Sequence, residues 1–280
     1  MPHQSHIIKV FINKIAEMLI PNQMSELVSP DRKHLWLVAA PKTGSTWLNA
    51  ILIKVLDWPY NALTLGGERR EQEIFFNAMV PYLTNNLFSQ HQHCRLSQVT
   101  ADFITKFRVK VILQGRNLLD SLVSFRDYTA KGNLINPFNY ITEPFLELSP
   151  ERQLDLVIDT VTPWYLNFYA SWFDNTVDYY WVSYEALLAD TFTTVENILA
   201  YSGIERSKQQ IQNAIDYTTT IYTRFNVGKT GRGESVLTAS QKERVYNLVK
   251  YYEPYPGLYE KNIVKKQKAV NEGLQKLLFE

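Results

Sequence analysis

Short apolar runs and helical stripes alternate along this chain. "HLWLVAA" (34–40) is an unbroken apolar run bounded by charge and proline, the pattern of a strand buried on both faces. "TWLNAILIKVLD" (46–57) then carries apolar residues at helical spacing and is entered through residues that cap helices well. "NNLFSQHQHC" (85–94) predicts a strand, at the edge or inside the sheet, and "FRVKVILQGR" (107–116) predicts another. "NLLDSLVSFRDYTA" (117–130) predicts a helix, and "VDYYWVSYEALLAD" (177–190) a strand running into a helix. "TFTTVENILAYSGI" (191–204) predicts a helix ended by Gly203.

This alternation predicts an α/β fold: one domain over 1–280, with a central, mainly parallel β-sheet flanked by helices. Residues 1–30 predict an N-terminal helical extension, in which "HIIKVFINKIAEMLIP" has an amphipathic pattern. The stretch 131–163, with Pro137, Pro144, Pro150 and Pro163, predicts a loop-rich insertion. The polar, glycine-rich stretch 222–240 predicts a second surface loop.

Composition narrows the function classes. Lys plus Arg number 29 against 28 Asp plus Glu, so the whole chain exerts no pull on nucleic acid or an anionic membrane. Any anion site is therefore local. No apolar run approaches the roughly 18 residues that span a bilayer. The single cysteine, Cys94, excludes an internal disulfide and fits a reducing, cytoplasmic setting, with its side chain buried.

The chemistry begins where the first strand meets its helix. "PKTGSTW" places Lys42, Thr43, Gly44, Ser45, Thr46 and Trp47 at a helix start, where unpaired N–H groups and the helix dipole favour an anion. The Walker spacing of ATP-binding loops is absent: there is one glycine, and the lysine precedes it. A second strand end carries Arg116, with Ser124 two helical turns further on, at the sheet edge where open α/β folds place ligands.

These stretches resemble the motifs of the sulfotransferases that use 3′-phosphoadenosine-5′-phosphosulfate (PAPS). "PKTGSTW" is similar to their 5′-phosphosulfate loop, PKSGTTW, and "RNLLDSLVSF" to their 3′-phosphate motif, R-N-x-x-D-x-x-x-S. "WVSYEALLADTFTTVENILAYSGI" resembles the Y-E-D-L segment, "PWYLNFYASWF" the Trp-bearing helix before it, and "VGKTGRGESVLTASQ" the late glycine-rich loop. The resemblance covers roughly residues 35 to 245 and implies a P-loop-like nucleotide-binding fold.

It implies residue roles as well. Lys42 would neutralise charge on the leaving oxygen, and Thr43, Gly44, Ser45 and Thr46 would cradle the 5′-phosphate. Trp47 would stack on adenine, although a core aromatic fits its position equally, and Tyr184 would touch the adenine region. Arg116 and Ser124 would hold the 3′-phosphate with Lys229, Gly231 and Arg232. A general base is needed for a hydroxyl acceptor. In "SQHQHCRL", His93 takes the histidine position of the family's K-T-H and His91 falls where the family has lysine; alternation places both on one strand face. The catalytic set is thus Lys42, His93, His91 and Ser124. No third ligand accompanies the two histidines, so no metal is expected.

The late loop is shortened relative to the family and lacks its Trp and Phe, which leaves the oligomeric state open. The acceptor is expected to be a small molecule such as a secondary metabolite, sulfated on a hydroxyl or a nitrogen. Its walls would come from residues 60–84, 128–150 and the C-terminal segment, with Tyr60, Phe75, Phe76, Tyr82, Tyr128, Phe138, Phe145 and Tyr252. The region 131–163 then becomes an acceptor-side insertion, and "GGERREQE" (66–73) a solvated helix face. Two rivals compete: an ATP-dependent small-molecule kinase, which would need a Walker lysine and a magnesium carboxylate, and a nucleotide-binding protein without catalysis.

Overall fold

The structure is a computed structural model that describes residues 24–64, 73–134, 139–173, 177–220, 228–252, 270 and 272–278. Five strands form one sheet: β1 (His34–Ala39), β2 (Tyr60–Asn61), β3 (Leu87–Gln92), β4 (Val109–Gly115) and β5 (Tyr179–Ser183). Their order is β2-β3-β1-β4-β5, and every neighbouring pair is parallel. The expected single α/β domain with a parallel sheet is therefore present.

β1 lies at the centre and is buried throughout. Side chains alternate along a strand, so Trp36 and Val38 enter one core while Leu35 and Leu37 enter the other. The second core is closed by α1 (Ser45–Leu56), α5 (Tyr184–Ala189), α6 (Thr191–Tyr201) and α7 (Lys208–Thr219). The first is closed by α2 (Gln98–Lys106), α3 (Leu118–Ala130), α4 (Pro150–Phe173) and α9 (Ala239–Lys250), with the short α8 (Arg232–Val236) beside α3. Parallel strands all deliver their carboxyl ends to one edge. The loops after β1, β3, β4 and β5 therefore meet there.

Several expectations are corrected. Residues 150–163 are not loop: they open the 24-residue α4. Pro150 occupies the helix start, where its missing N–H is harmless. Pro163 forfeits one backbone hydrogen bond, which costs about 3 kcal/mol. Against it stands a buried row of Leu154, Val157, Ile158, Val161, Tyr165, Phe168, Tyr169 and Trp172, each worth roughly 1.5–3 kcal/mol of burial. The stretch 222–240 is not one surface loop either. Its described part holds α8 and the start of α9, which a capping box of Thr238 and Gln241 fixes.

β3 ends at Gln92, so His93 stands just beyond the strand rather than on it. Phe145, expected among the acceptor walls, is a core residue at 3 % exposure, and Phe76 is half-buried at the margin of the same core, edge-on to Phe103 and Phe107. The amphipathic N-terminal stretch, the acidic run as far as residue 72 and Phe138 lie outside the described residues. Among the described residues, no helix is long and apolar enough to cross a membrane.

Candidate active site

The turn between β1 and α1 is held from beneath. Five consecutive carbonyls are each engaged: Ala40 O by the Thr43 hydroxyl (2.8 Å), Pro41 O by the Tyr165 hydroxyl (2.6 Å) and Lys42 O by the Arg116 guanidinium (3.3 Å). Gln114 donates to Thr43 O at 2.9 Å, and Gly44 O accepts the first helical N–H groups, from Trp47 and Leu48. Lys42 (φ 62°) and Gly44 (φ 81°) are left-handed, which is what bends the chain so sharply. No side chain caps α1, so its positive end keeps its attraction for an anion. The Lys42 ammonium lies 4.1 Å from the centre of the Tyr128 ring. Tyr184 presses on the other side: a Cβ at position 44 would lie 2.6 Å from its ring.

Arg116 directly follows β4 and is 7 % exposed. Besides Lys42 O, its guanidinium donates to Lys229 O (3.0 Å), faces Asp120 at 3.5 Å, and stacks 4.4 Å from the centre of the Tyr184 ring. Its Nε is buried with no hydrogen-bond partner among the described residues. Asp120, in the first turn of α3 and 1 % exposed, docks the late loop. It accepts the Gly231 N–H at 2.9 Å and the Gly233 N–H at 2.6 Å. Gly233 lies so close that a Cβ would meet Leu119 Cβ at 2.3 Å. Arg232 is tied to Asp127 of α3 at 2.6 Å. Ser124, one turn beyond Asp120, is 5 % exposed on the same helix.

His93 Nδ1 stands 2.6 Å from Ala39 O, the last residue of β1. A carbonyl can only accept, so Nδ1 carries the proton and Nε2 is the basic nitrogen. The ring is edge-on to Trp164 at 6.4 Å and lies 6.2 Å from His91. Both imidazoles are nearly buried, and the backbone of His91 is pinned to α1 by the Asn49 side chain at 3.0 Å. Among the described residues no group of three His, Cys, Asp or Glu could hold a metal.

The structure thus brings Lys42–Trp47, Arg116, Tyr184, Lys229, Gly231 and Arg232 to one sheet edge, with the two histidines against the end of β1. Trp47 is half-buried: its ring packs against the α1-side core and its N–H donates to the Thr218 hydroxyl at 3.1 Å. Sequence reasoning missed Gln114, Tyr165, Asp127 and above all Asp120, and it named Tyr128 for the acceptor side without its contact to Lys42. The signal for Asp120 was available, since it lies four residues after Arg116 on a helix start, the spacing of facing side chains. An orphaned buried guanidinium nitrogen beside an uncapped helix start fits a ligand with two anionic groups.

The sulfotransferase domain family matches residues 32–230, well over half of the chain. The chain belongs to that family and is a PAPS-dependent sulfotransferase by membership. Among solved structures it is similar to mouse sulfotransferase SULT7A1 complexed with PAP: 14 % identity, TM-score 0.59, covering 88 % of this chain and 91 % of that one. Retinol dehydratase with androsterone and inactive cofactor PAP (15 % identity, TM-score 0.46, 83 % and 84 % covered) also matches. So does the same enzyme with retinol and PAP (14 %, 0.47, 82 % and 84 %). The likeness to the mouse protein shows the shared fold. No curated protein matches the sequence.

Proposed function

We propose that the protein moves the sulfuryl group of PAPS to a hydroxyl, or to a nitrogen, of a small-molecule acceptor, with His93 as general base. The observation that carries this is the Arg116 guanidinium, which donates at once to the Lys42 carbonyl and the Lys229 carbonyl. One side chain thereby ties the helix-start anion grip to the late loop.

PAPS, when bound, supplies an activated sulfuryl group and a nucleotide that departs with negative charge. The residues around it divide the work. The N–H groups of Thr43, Gly44, Ser45 and Thr46 and the hydroxyls of Ser45 and Thr46 would hold the 5′-phosphate, the Thr43 hydroxyl being spent on Ala40 O, and donors ordered in advance are where electrostatic catalysis gains most. Lys42 would set a positive charge where the leaving oxygen develops its own. Arg116, Ser124, Lys229, Gly231 and Arg232 would hold the 3′-phosphate, and Tyr184 and Trp47 would flank the base. The acceptor's proton would pass to Nε2 of His93, whose Nδ1–H is fixed on Ala39 O. His91 would lie alongside as the second imidazole. Tyr128 is the aromatic of the expected acceptor set that sits against Lys42. A secondary metabolite and a cytoplasmic setting remain the favoured context, the latter consistent with one fully buried cysteine.

Incubation with PAPS and metabolite extracts should yield products heavier by one sulfuryl group, and a metal chelator should not stop the reaction. Lys42→Ala should lower turnover more than it lowers affinity for adenosine 3′,5′-bisphosphate. Arg116→Ala should chiefly weaken that affinity, by about 2–4 kcal/mol. His93→Ala should abolish transfer to weakly acidic hydroxyls. Loss of transfer in His91→Ala with activity retained in His93→Ala would reverse the assignment of the base.

A further inference from the structure

One face of α3 meets the late loop. Asp120, Ser124 and Asp127 follow one another at helical spacing, so their side chains line up along the helix. The late loop engages this row at both ends. Its backbone docks on Asp120 through the Gly231 and Gly233 N–H groups, while the side chain between them, Arg232, reaches two turns along α3 to Asp127.

That second contact is built, not incidental. Nη2 of Arg232 meets Oδ2 of Asp127 at 2.6 Å, with the two side chains only 22 % and 19 % exposed. The other oxygen, Oδ1, accepts from Nε of Arg126 at 2.8 Å. The Arg126 guanidinium also donates to Pro150 O, at the start of α4, at 3.2 Å. The Asp127 carboxylate is thus fixed by an element outside the late loop, and it fixes Arg232 in turn.

Ser124 consequently lies between two guanidiniums. Arg116 faces Asp120 one turn before it, and Arg232 is bound to Asp127 one turn after it. Side chains at those spacings stand about 5–6 Å apart, so a tetrahedral oxyanion over the Ser124 hydroxyl would be within reach of both. The single charge of Asp127 is shared by Arg126 and Arg232, which leaves the cluster positive. Arg232 uses Nη2 on the carboxylate, and the rigid guanidinium plane carries further N–H donors on Nε and Nη1. A long side chain held in advance also loses less freedom when an anion arrives.

We propose that Asp127 is a positioning residue for the 3′-phosphate: it fixes the Arg232 guanidinium beside Ser124 and so sets the preference for nucleotides phosphorylated at that position. This rests on the reading of the site as one for PAPS.

Calorimetry with adenosine 3′,5′-bisphosphate and adenosine 5′-monophosphate tests it, because the two differ only in the 3′-phosphate. The unsubstituted protein should bind the bisphosphate more tightly. Asp127→Asn should shrink that preference by about fivefold or more. It should leave the monophosphate affinity and the urea midpoint close to unchanged, which a merely structural role would move. Asp127→Glu should restore most of the preference, since it returns a carboxylate to the same helix face. In an Arg232→Gln background, Asp127→Asn should change nothing further, because its effect runs through that arginine. A preference unchanged or enlarged in Asp127→Asn would overturn the proposal, enlargement meaning that the carboxylate competes with the phosphate. So would an equal loss for both nucleotides, or an effect of the same size without Arg232. If the unsubstituted protein itself does not prefer the bisphosphate, the reading of the site fails first, and this inference with it.

Discussion

Asp120 is the residue whose removal the structure makes most consequential. Oδ1 accepts the Gly233 N–H and Oδ2 the Gly231 N–H, and Oδ2 also faces Arg116, all at a position 1 % exposed. A hydrogen bond to a charged group contributes about 1.5–3 kcal/mol, and breaking a buried pair from one side costs about 3–5 kcal/mol. The Arg116 contact is long at 3.5 Å, so most of the loss comes from the two glycine bonds and the uncompensated guanidinium. Asp120→Ala should therefore lower the unfolding free energy by about 3–5 kcal/mol. Asp120→Asn keeps one carbonyl but turns an NH₂ toward the second glycine N–H, so roughly half that loss is expected. Urea unfolding followed by circular dichroism, with and without adenosine 3′,5′-bisphosphate, measures both. The nucleotide should recover part of the loss, because in the proposed binding mode its 3′-phosphate would supply Arg116 with a new counter-charge. A destabilisation below about 1 kcal/mol, together with unchanged nucleotide affinity, would refute the docking role.

Three further outcomes follow from single sites. His34, 1 % exposed, accepts from the Arg32 guanidinium at Nδ1 and so must donate from Nε2 to Ser89, whose hydroxyl passes the chain on to Asn61. Burial, with Arg32 beside it, holds its pKa well below the ordinary histidine value. Its contribution is thus fully present above about pH 6.5 and falls by about 1.4 kcal/mol per pH unit below that, until the folded pKa is reached. Urea midpoints measured from pH 7.5 to 5 should show this slope, and His34→Gln should flatten it. Cys94 is fully buried and its thiol is pushed up by burial, so a thiol reagent should find no reactive group in the native protein and one after denaturation. Gly44→Ala should cost about 1–2 kcal/mol for the left-handed backbone, and more from displacing Tyr184; a nucleotide affinity within twofold of the unsubstituted protein would contradict that packing.

The frame of the fold was legible because its signals are local. β1, α1, β4 and α3 each declare themselves as an apolar run or a helical stripe, and both anion motifs sit at their junctions. The prolines misled where burial outweighed them: Pro163 lies inside a helix that packs a long aromatic row against the sheet. Other features depend on partners distant in sequence. Asp120 holds backbone more than a hundred residues away, and the tautomer of His93 is set by the Ala39 carbonyl of β1. No spacing rule reaches that far. The aromatic residues expected to line the acceptor were read by type alone, and type does not separate a pocket wall from a core residue such as Phe145.

The positive charge of this site is less distinctive than the way it is held. The chain carries a net charge of only +1, so long-range steering is weak and selectivity must come from short-range geometry. Every carbonyl from Ala40 to Gly44 is bonded within the protein, which fixes the peptide planes before any anion arrives. A site ordered in advance does not reorganise as charge develops. Arg116 is the common member of both grips, and its planar fork meets two carbonyls and a carboxylate while stacking on Tyr184. A lysine there would keep the charge and lose the geometry, since an ammonium offers no plane to stack and no fixed fork. The arginine just after β4 is accordingly a requirement of shape, and the two proposed anion motifs are one structure joined through it.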